Sequence, residues 1–306
     1  MAVIDIGTNS TRLLVADVSD GHVEEVERRT QVTRLGRGVD LSGNLATEGI
    51  EAVCTEVGDY VAICRELGAE TVDAIATSAV RDASNGDAFI AELRERFALD
   101  ARVLEGSEEA LLTYRGATAE DSPPPPVVVI DIGGGSTELI VGAGPEVDFH
   151  ASVQAGVVRH TERHLASDPP AAAELEALAG DVLALLDEAL AEYRGPRVAS
   201  GIAVAGTPTS LAAIDQQLDP YDPRRVHGHR MPLDTIQHLL SELASLPLAQ
   251  RRGVTGLDPD RAPTIVAGVI ILIEAMRAFE LGEVGASEHD ILHGAALEAA
   301  QARNPD

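Results

Sequence analysis

The chain has 306 residues, enough for two domains at about 150 residues each. It carries 50 Asp and Glu against 23 basic residues, a formal net charge of −27, and every basic residue is Arg. That composition excludes a Walker A lysine, a Schiff-base or pyridoxal-phosphate lysine, and a general basic face for duplex nucleic acid or an anionic membrane.

Hydrophobic residues make up 45 % and aromatics only 3 %, with no Trp, so Ala, Val, Leu and Ile must build the core. Residues 2–18 read as two apolar strands around a polar turn, and 22–32 as a third strand whose His22, Glu24, Val26 and Arg28 suggest an exposed face. The glycine-rich stretch 33–43 reads as a loop. A helix is predicted over 47–67 with Thr47 as N-cap, a strand at 71–80 running into a loop, a helix at 86–98 and a short strand at 101–105. Ser107 is expected to open the next helix, with Glu108 and Glu109 in its first turn, where carboxylates suit the helix dipole. Ser122 and the four prolines 123–126 mark a domain linker, since they can neither continue a helix nor sit in a central strand. Strand, turn and strand follow at 127–144, then a strand at 146–153 and helices at 156–166 and 171–194. Residues 197–211 read as a strand, a glycine turn and a helix start, and 215–231 as a polar loop. Helices are predicted at 233–246, 262–281 and 288–302. The longest apolar run, 265–273, is about half of what a bilayer span needs and reads as a buried helix. Cys54 and Cys64 fall ten residues apart on one helix, about 15 Å, too far for a disulfide. They read as core thiols of a reducing compartment. With no signal peptide, the protein is expected to be cytoplasmic.

The strongest signal is an internal repeat. DIGTNSTRLLV at 5–15 and DIGGGSTELIV at 131–141 match at seven of eleven positions with a constant offset of 126. Each expected domain therefore opens with a β-hairpin whose turn is rich in small residues. Such turns let backbone N–H groups approach an anion, and Ser and Thr hydroxyls add donors. An Asp at the end of the preceding strand can hold a divalent cation directly or through water. A dinucleotide fold requires a helix after the glycines, whereas here the strand continues; a nucleophile elbow requires G-x-S-x-G, which is absent around Ser136. A purely structural pair of hairpins remains the competing reading.

The doubled hairpin resembles the phosphate-binding turns of the actin, sugar-kinase and heat-shock-chaperone ATPase superfamily. Within it, DIGTNSTRLLV, ATSAVRDA (76–83), EGSEEA (105–110), DIGGGSTEL and VAGTPTSLAA (204–213) resemble, in order and spacing, the exopolyphosphatase / guanosine pentaphosphate phosphohydrolase (Ppx/GppA) family in its short two-domain form. The resemblance implies an α/β fold of two ribonuclease H-like (actin-like ATPase) domains with mixed sheets, flanking helices and an active site in the interdomain cleft. The expected domains are 1–122, completed by 288–306, and 123–287. The resemblance further implies Glu109 as the general base that activates water and Arg81 as a contact to the transferred phosphate. It implies Gly7, Thr8, Asn9, Ser10 and Arg12 as the first phosphate loop, and Gly133, Gly134, Gly135, Ser136 and Thr137 as the second. Gly206 and Thr207 match a third glycine turn. Asp131, Glu138 and Asp5 are the expected carboxylates for Mg²⁺, with Mn²⁺ an alternative and no organic cofactor. Asp290 stands where many long members carry an Arg before the glycine, so that arginine's contact is not implied here.

The expected reaction is release of terminal orthophosphate from inorganic polyphosphate. Guanosine pentaphosphate 5′-phosphohydrolysis is the alternative, and a kinase or a non-catalytic sensor of the same fold are lesser ones. The implied partners are polyphosphate or guanosine penta- and tetraphosphate, with no duplex nucleic acid and no membrane; a homodimer is left open. Without the resemblance Glu109 reads as a surface carboxylate at a helix start, and Glu108, about 100° away, should point elsewhere. Arg34, Arg37, Arg159, His227, His229 and Arg230 either track an anionic chain or sit in solvated loops. His160 with His164, and His289 with His293, are spaced i, i+4. Neither segment is H-E-x-x-H and no Cys is near, so helix surface or core is expected rather than zinc.

Overall fold

The computed structural model describes residues 1–19, 21–119, 124–144 and 146–303. The chain divides into two units, Met1–Glu120 with Asp290–Asp306, and Asp121–His289. In the first, strands β1 (Ala2–Ile6), β2 (Ser10–Ser19) and β3 (His22–Val32) form consecutive hairpins. Helices α1 (Val39–Ser42) and α2 (Thr47–Glu66), strand β4 (Val72–Ala76), helices α3 (Ser78–Asp82) and α4 (Gly86–Phe97), strand β5 (Ala101–Val103) and helix α5 (Gly106–Thr118) follow. The second unit opens with the same plan in β6 (Val127–Ile132), β7 (Thr137–Ala143) and β8 (Glu146–Val153). It continues through α6 (Val157–His164), α7 (Ala172–Leu190), β9 (Ser200–Val204), α8 (Gly206–Asp215), α9 (Pro223–Val226), β10 (Arg230–Pro232), α10 (Leu233–Ser245), α11 (Leu248–Arg251), α12 (Ile265–Ala278) and β11 (Glu283–Ala286). The last helix, α13 (Ile291–Arg303), packs in the first unit.

The fold is α/β with two mixed sheets. The sheet orders are β3-β2-β1-β4-β5 and β8-β7-β6-β9-β11-β10. In each, three antiparallel hairpin strands are followed by parallel additions, β4 and β5 in one, β9 and β11 in the other. The repeat extends into irregularities. The ladder slips between Val15 and Ala16 in β2 and between Val141 and Gly142 in β7, again 126 residues apart. A bulge re-aims the strand beyond it, so the two hairpins share their bend as well as their sequence.

Strand alternation decides which side chains meet which helices. Ala2, Ile4 and Ile6 of β1 pack with Leu13 and Val15 against Val53 and Val57 of α2 and Phe89 and Leu93 of α4. Val3, Leu14 and Ala16 face the other way, against Leu112 of α5 and Leu292 and Ala295 of α13. By the same period of two, Asp5 and Arg12 lie on the α5/α13 face. Two glycines let those helices touch: a Cβ on Gly116 would lie 1.9 Å from the Asp290 carbonyl oxygen, and one on Gly294 would lie 1.8 Å from that of Leu112. In the second unit α12 is buried from Ile265 to Met276 and forms the centre of the core. No described helix is long and apolar enough to cross a membrane.

Several local expectations are corrected. Helix α2 begins at Thr47 itself, with Ala46 at the cap and no capping side chain. The segment 71–80, expected to run from a strand into a loop, is strand only to Ala76; Thr77 stands at the N-cap of the short helix α3, which begins at Ser78. Helix α5 is capped by Glu105 rather than Ser107; its backbone N–H donates to Glu108 Oε2 at 3.0 Å in a capping box. The loops 33–43 and 215–231 contain α1, and α9 with β10. Strand β11, which joins β9 to β10, lies where no strand is expected. Of the expected linker, Ser122 and Pro123 lie outside the described residues, and 124–126 bend into β6. Both cysteines are buried and unbridged.

Candidate active site

On the α5/α13 face of the first sheet, Asp5 of β1 stands opposite Arg12 of β2 in the ladder. Arg12 Nε and Nη2 donate to Asp5 Oδ2 at 2.8 and 2.6 Å, and Nη1 donates to Asp290. Asp290 also accepts the Leu292 N–H at 3.0 Å, so it caps α13 while gripping the arginine. Arg28 approaches the same carboxylate at 3.9 Å, so this residue of the expected exposed face of β3 turns toward α13. Burial alone would raise both carboxyls. Arg12 and Arg28 outweigh burial at Asp290 and hold it below its ordinary value, whereas Asp5 stays raised by desolvation in spite of Arg12. Asp5 Oδ1 is buried with no hydrogen-bond partner. Sequence reasoning does not place Asp290 or Arg28 in the site; only the departure at 290 hints at the former.

Glu109 sits at the N-terminal end of α5, 7 % exposed, whereas its neighbour Glu108 faces solvent. Its Oε2 accepts from Arg81 Nη1 at 3.1 Å, and that nitrogen also donates to the Leu104 carbonyl at 2.9 Å. Helix α3 therefore delivers Arg81 and helix α5 delivers Glu109 to one spot beside the end of β5. Desolvation pushes the Glu109 carboxyl up to about 7; Arg81 opposes the shift, and the negative charge of Asp5 adds to it. A carboxyl poised near neutrality can take a proton from water at physiological pH, as a general base requires.

The first turn, Gly7, Thr8, Asn9 and Ser10, is closed by the Gly7 N–H on the Ser10 carbonyl at 3.0 Å. It is anchored from outside. Thr8 Oγ1 meets Ser78 Oγ at 2.9 Å, the Thr8 carbonyl accepts from Gly36 N–H, and the Asn9 carbonyl accepts from the N–H groups of Thr33 and Arg34. The second turn repeats the closure, Gly133 N–H to the Ser136 carbonyl at 2.9 Å. The carbonyls of Gly133 and Gly134 accept N–H groups of Val157, Val158 and Arg159 at the start of α6. Gly156 makes that approach possible, since a Cβ there would lie 2.3 Å from the Gly134 carbonyl oxygen. Thr137 Oγ1 donates to the Ala155 carbonyl. Gly156 carries no motif signal.

Asp131 and Glu138 are direct partners across the β6–β7 ladder, the position where the first unit has Asp5 and Arg12. Directly opposed residues project from one face. One copy of the repeat thus holds a carboxylate and a guanidinium, and the other holds two carboxylates. Glu138 is buried, and its Oε1 accepts from Ser152 Oγ at 3.0 Å. An oxygen-only pair of this kind suits a hard divalent cation such as Mg²⁺ or Mn²⁺ rather than a thiolate-seeking metal.

At the third turn the strand β9 ends at Val204, and Ala205 takes φ 71°, ψ −169°, a strained conformation for a residue with a Cβ. Gly206 and Thr207 then open α8. A Cβ on Gly206 would lie 1.4 Å from Arg261 Nη1, so the guanidinium lies directly over the turn. Arg261 is a cation that sequence spacing could not connect to residue 206. The basic loop behaves differently: His229 Nε2 meets Asp215 at 2.7 Å and Arg230 meets Glu283 at 2.6 Å. Arg159 Nη1 donates to Gln154 at 2.6 Å. His227 and His289 have ring centroids 4.2 Å apart.

Known proteins share this architecture and much of this sequence. The chain is 38 % identical to Exopolyphosphatase 2 of Mycobacterium tuberculosis over 98 % of both chains. It is 26 % identical to a guanosine-5′-triphosphate,3′-diphosphate pyrophosphatase of Pseudoalteromonas translucida, over 93 % of this chain and 56 % of that one. The crystal structure of an exopolyphosphatase-like protein superposes with a TM-score of 0.92 at 31 % identity over 99 % of each chain. The fold is accordingly the two-domain actin-like ATPase fold of those proteins. The model of the Ppx/GppA phosphatase family matches residues 14–302, and the chain belongs to that family.

Proposed function

We propose that this protein is an exopolyphosphatase that releases terminal orthophosphate from inorganic polyphosphate with Mg²⁺, or Mn²⁺, as its cation. The observation that carries the reading is the buried Glu109 carboxyl, set near neutrality and held by Arg81 at the end of β5. Hydrolysis of a phosphoanhydride requires an oriented water, a base and neutralised phosphoryl oxygens. Glu109 orients the water and takes its proton. Arg81 fixes the Glu109 carboxylate and, with its planar fork, supports the transferred phosphoryl group. The N–H groups and hydroxyls of residues 7–10 and 133–137 hold phosphate oxygens, and Arg12 lends positive charge beside the first turn. Gly206 and Thr207, with Arg261 over them, provide a third anion-binding turn. Asp131 and Glu138 would hold the cation, which when bound neutralises charge on the phosphates; Asp5 is the carboxylate at the matching position of the first hairpin. Similarity to Exopolyphosphatase 2 over nearly the whole chain favours polyphosphate, and similarity to a guanosine-5′-triphosphate,3′-diphosphate pyrophosphatase keeps guanosine pentaphosphate as the second reading. The protein acts alone or as a homodimer in the cytoplasm.

The test is a comparison of long polyphosphate, guanosine pentaphosphate and ATP as substrates in Mg²⁺. Release of orthophosphate fastest from polyphosphate supports the reading. Faster release from guanosine pentaphosphate transfers it to the alternative, and phosphoryl transfer from ATP to an acceptor overturns both.

A further inference from the structure

Helices α6 and α7 bring together three side chains that the phosphatase reaction does not use. His160 and His164 lie one turn apart on α6, and Asp181 comes from α7. His164 Nε2 is 2.8 Å from Asp181 Oδ2, His160 Nε2 is 3.5 Å from the same oxygen, and all three ligand atoms lie within 4.8 Å of one another. His160 is fully buried, and neither of its ring nitrogens has a hydrogen-bond partner. A buried imidazole without partners costs stability unless something satisfies it. The site is open on one side, because His164 and Asp181 are only partly buried.

We infer that His160, His164 and Asp181 form a binding site for a Zn²⁺-class transition metal, built on α6 and α7 and separate from the phosphatase chemistry. Tetrahedral ligands at about 2.0–2.1 Å from zinc lie roughly 3.3 Å from one another. The observed 2.8 and 3.5 Å lie on either side of that spacing, and the two imidazole ligand atoms lie within 4.8 Å of each other. Two imidazoles and one carboxylate are a borderline-soft set that favours zinc over Mg²⁺, and leave the fourth position for water. Arg163 Nη1, 3.3 Å from Asp181 Oδ2, is the cation the metal must displace or share. The two-histidine spacing alone does not support zinc. The third ligand comes from a helix 17 residues beyond His164, which only the fold reveals. Because the start of α6 bonds to the carbonyls of Gly133 and Gly134, the ion would fasten to α7 the helix that backs the second phosphate turn.

The experiment is calorimetric titration of the chelator-stripped full chain with Zn²⁺ in excess Mg²⁺, so that hard-oxygen sites are already filled. Thermal unfolding with and without Zn²⁺ provides a second readout. The expected result is one tight Zn²⁺ per chain and a higher melting temperature. Both should be lost or weakened by more than about tenfold in His164→Gln and Asp181→Ala. His160→Leu guards against misfolding: it should melt no lower than the metal-free parent, since it removes an unsatisfied polar group, yet gain nothing from Zn²⁺. Failure of the parent to take up Zn²⁺ in excess Mg²⁺, or an undiminished Zn²⁺ response in Asp181→Ala and His160→Leu, would overturn the site.

Discussion

Replacing Glu109 with glutamine separates the charge of the buried carboxyl from its shape. Desolvation lifts its pKa from 4.5 to about 7, and at about 1.36 kcal/mol per pH unit that links about 3 kcal/mol of stability to pH. The sign follows from proton counting. Between 4.5 and about 7 the unfolded chain has released this proton while the folded chain still holds it, so stability falls as pH rises through that window and levels off above it. The glutamine side chain carries no such proton. Unfolding by urea, followed at a series of pH values for parent and variant, isolates the group, because the other titrating residues largely cancel in the difference. The variant should gain on the parent by about 3 kcal/mol between the two pH values, while losing hydrolysis by about 10²–10⁴-fold. A difference that stays flat with pH would refute the claim that burial elevates this carboxyl.

Arg81→Ala removes the guanidinium that opposes the elevation, so the acid limb of the pH–rate profile should move to higher pH as the maximal rate drops; an unmoved limb would show that Arg81 does not face the base. Ser152→Ala strips the hydrogen bond to Glu138 Oε1, and the Mg²⁺ concentration for half-maximal activity should rise about 10–100-fold in a metal titration. Gly294→Ala puts a Cβ 1.8 Å from the Leu112 carbonyl oxygen and forces α13 away from α5; thermal unfolding should show a loss of about 1–3 kcal/mol or more.

The repeat was legible because a hairpin is local. Seven identities at one offset predicted two strand–turn–strand units, and the equivalent bulges at Val15/Ala16 and Val141/Gly142 show that the backbone repeats too. The same reading placed Glu109 in the first turn of a helix and turned Glu108 away from it. Its burial was not legible, because the partner that holds it, Arg81, lies 28 residues earlier in the chain. Long-range partners account for the other misses. Asp290 meets Arg12 across 278 residues, and Arg261 covers Gly206 from a loop with no motif. Local errors had local causes: Thr47 resembles a cap by type, but the chain turns helical at its own position, leaving Ala46 outside. Strand β11 is only four residues long and carries little periodicity to detect. The net charge of −27 excludes a broad basic surface, and the structure shows the local cations within it: Arg12 on two carboxylates, Arg81 on Glu109 and Arg261 over a glycine turn.

The most direct measurement pairs turnover with binding. Orthophosphate release from long polyphosphate and equilibrium binding of the same polymer are measured for the parent and for Glu109→Gln in Mg²⁺. If Glu109 is the base, the variant binds polyphosphate as tightly as the parent and releases almost no orthophosphate. Release at the parental rate by a variant that binds normally would contradict the assignment.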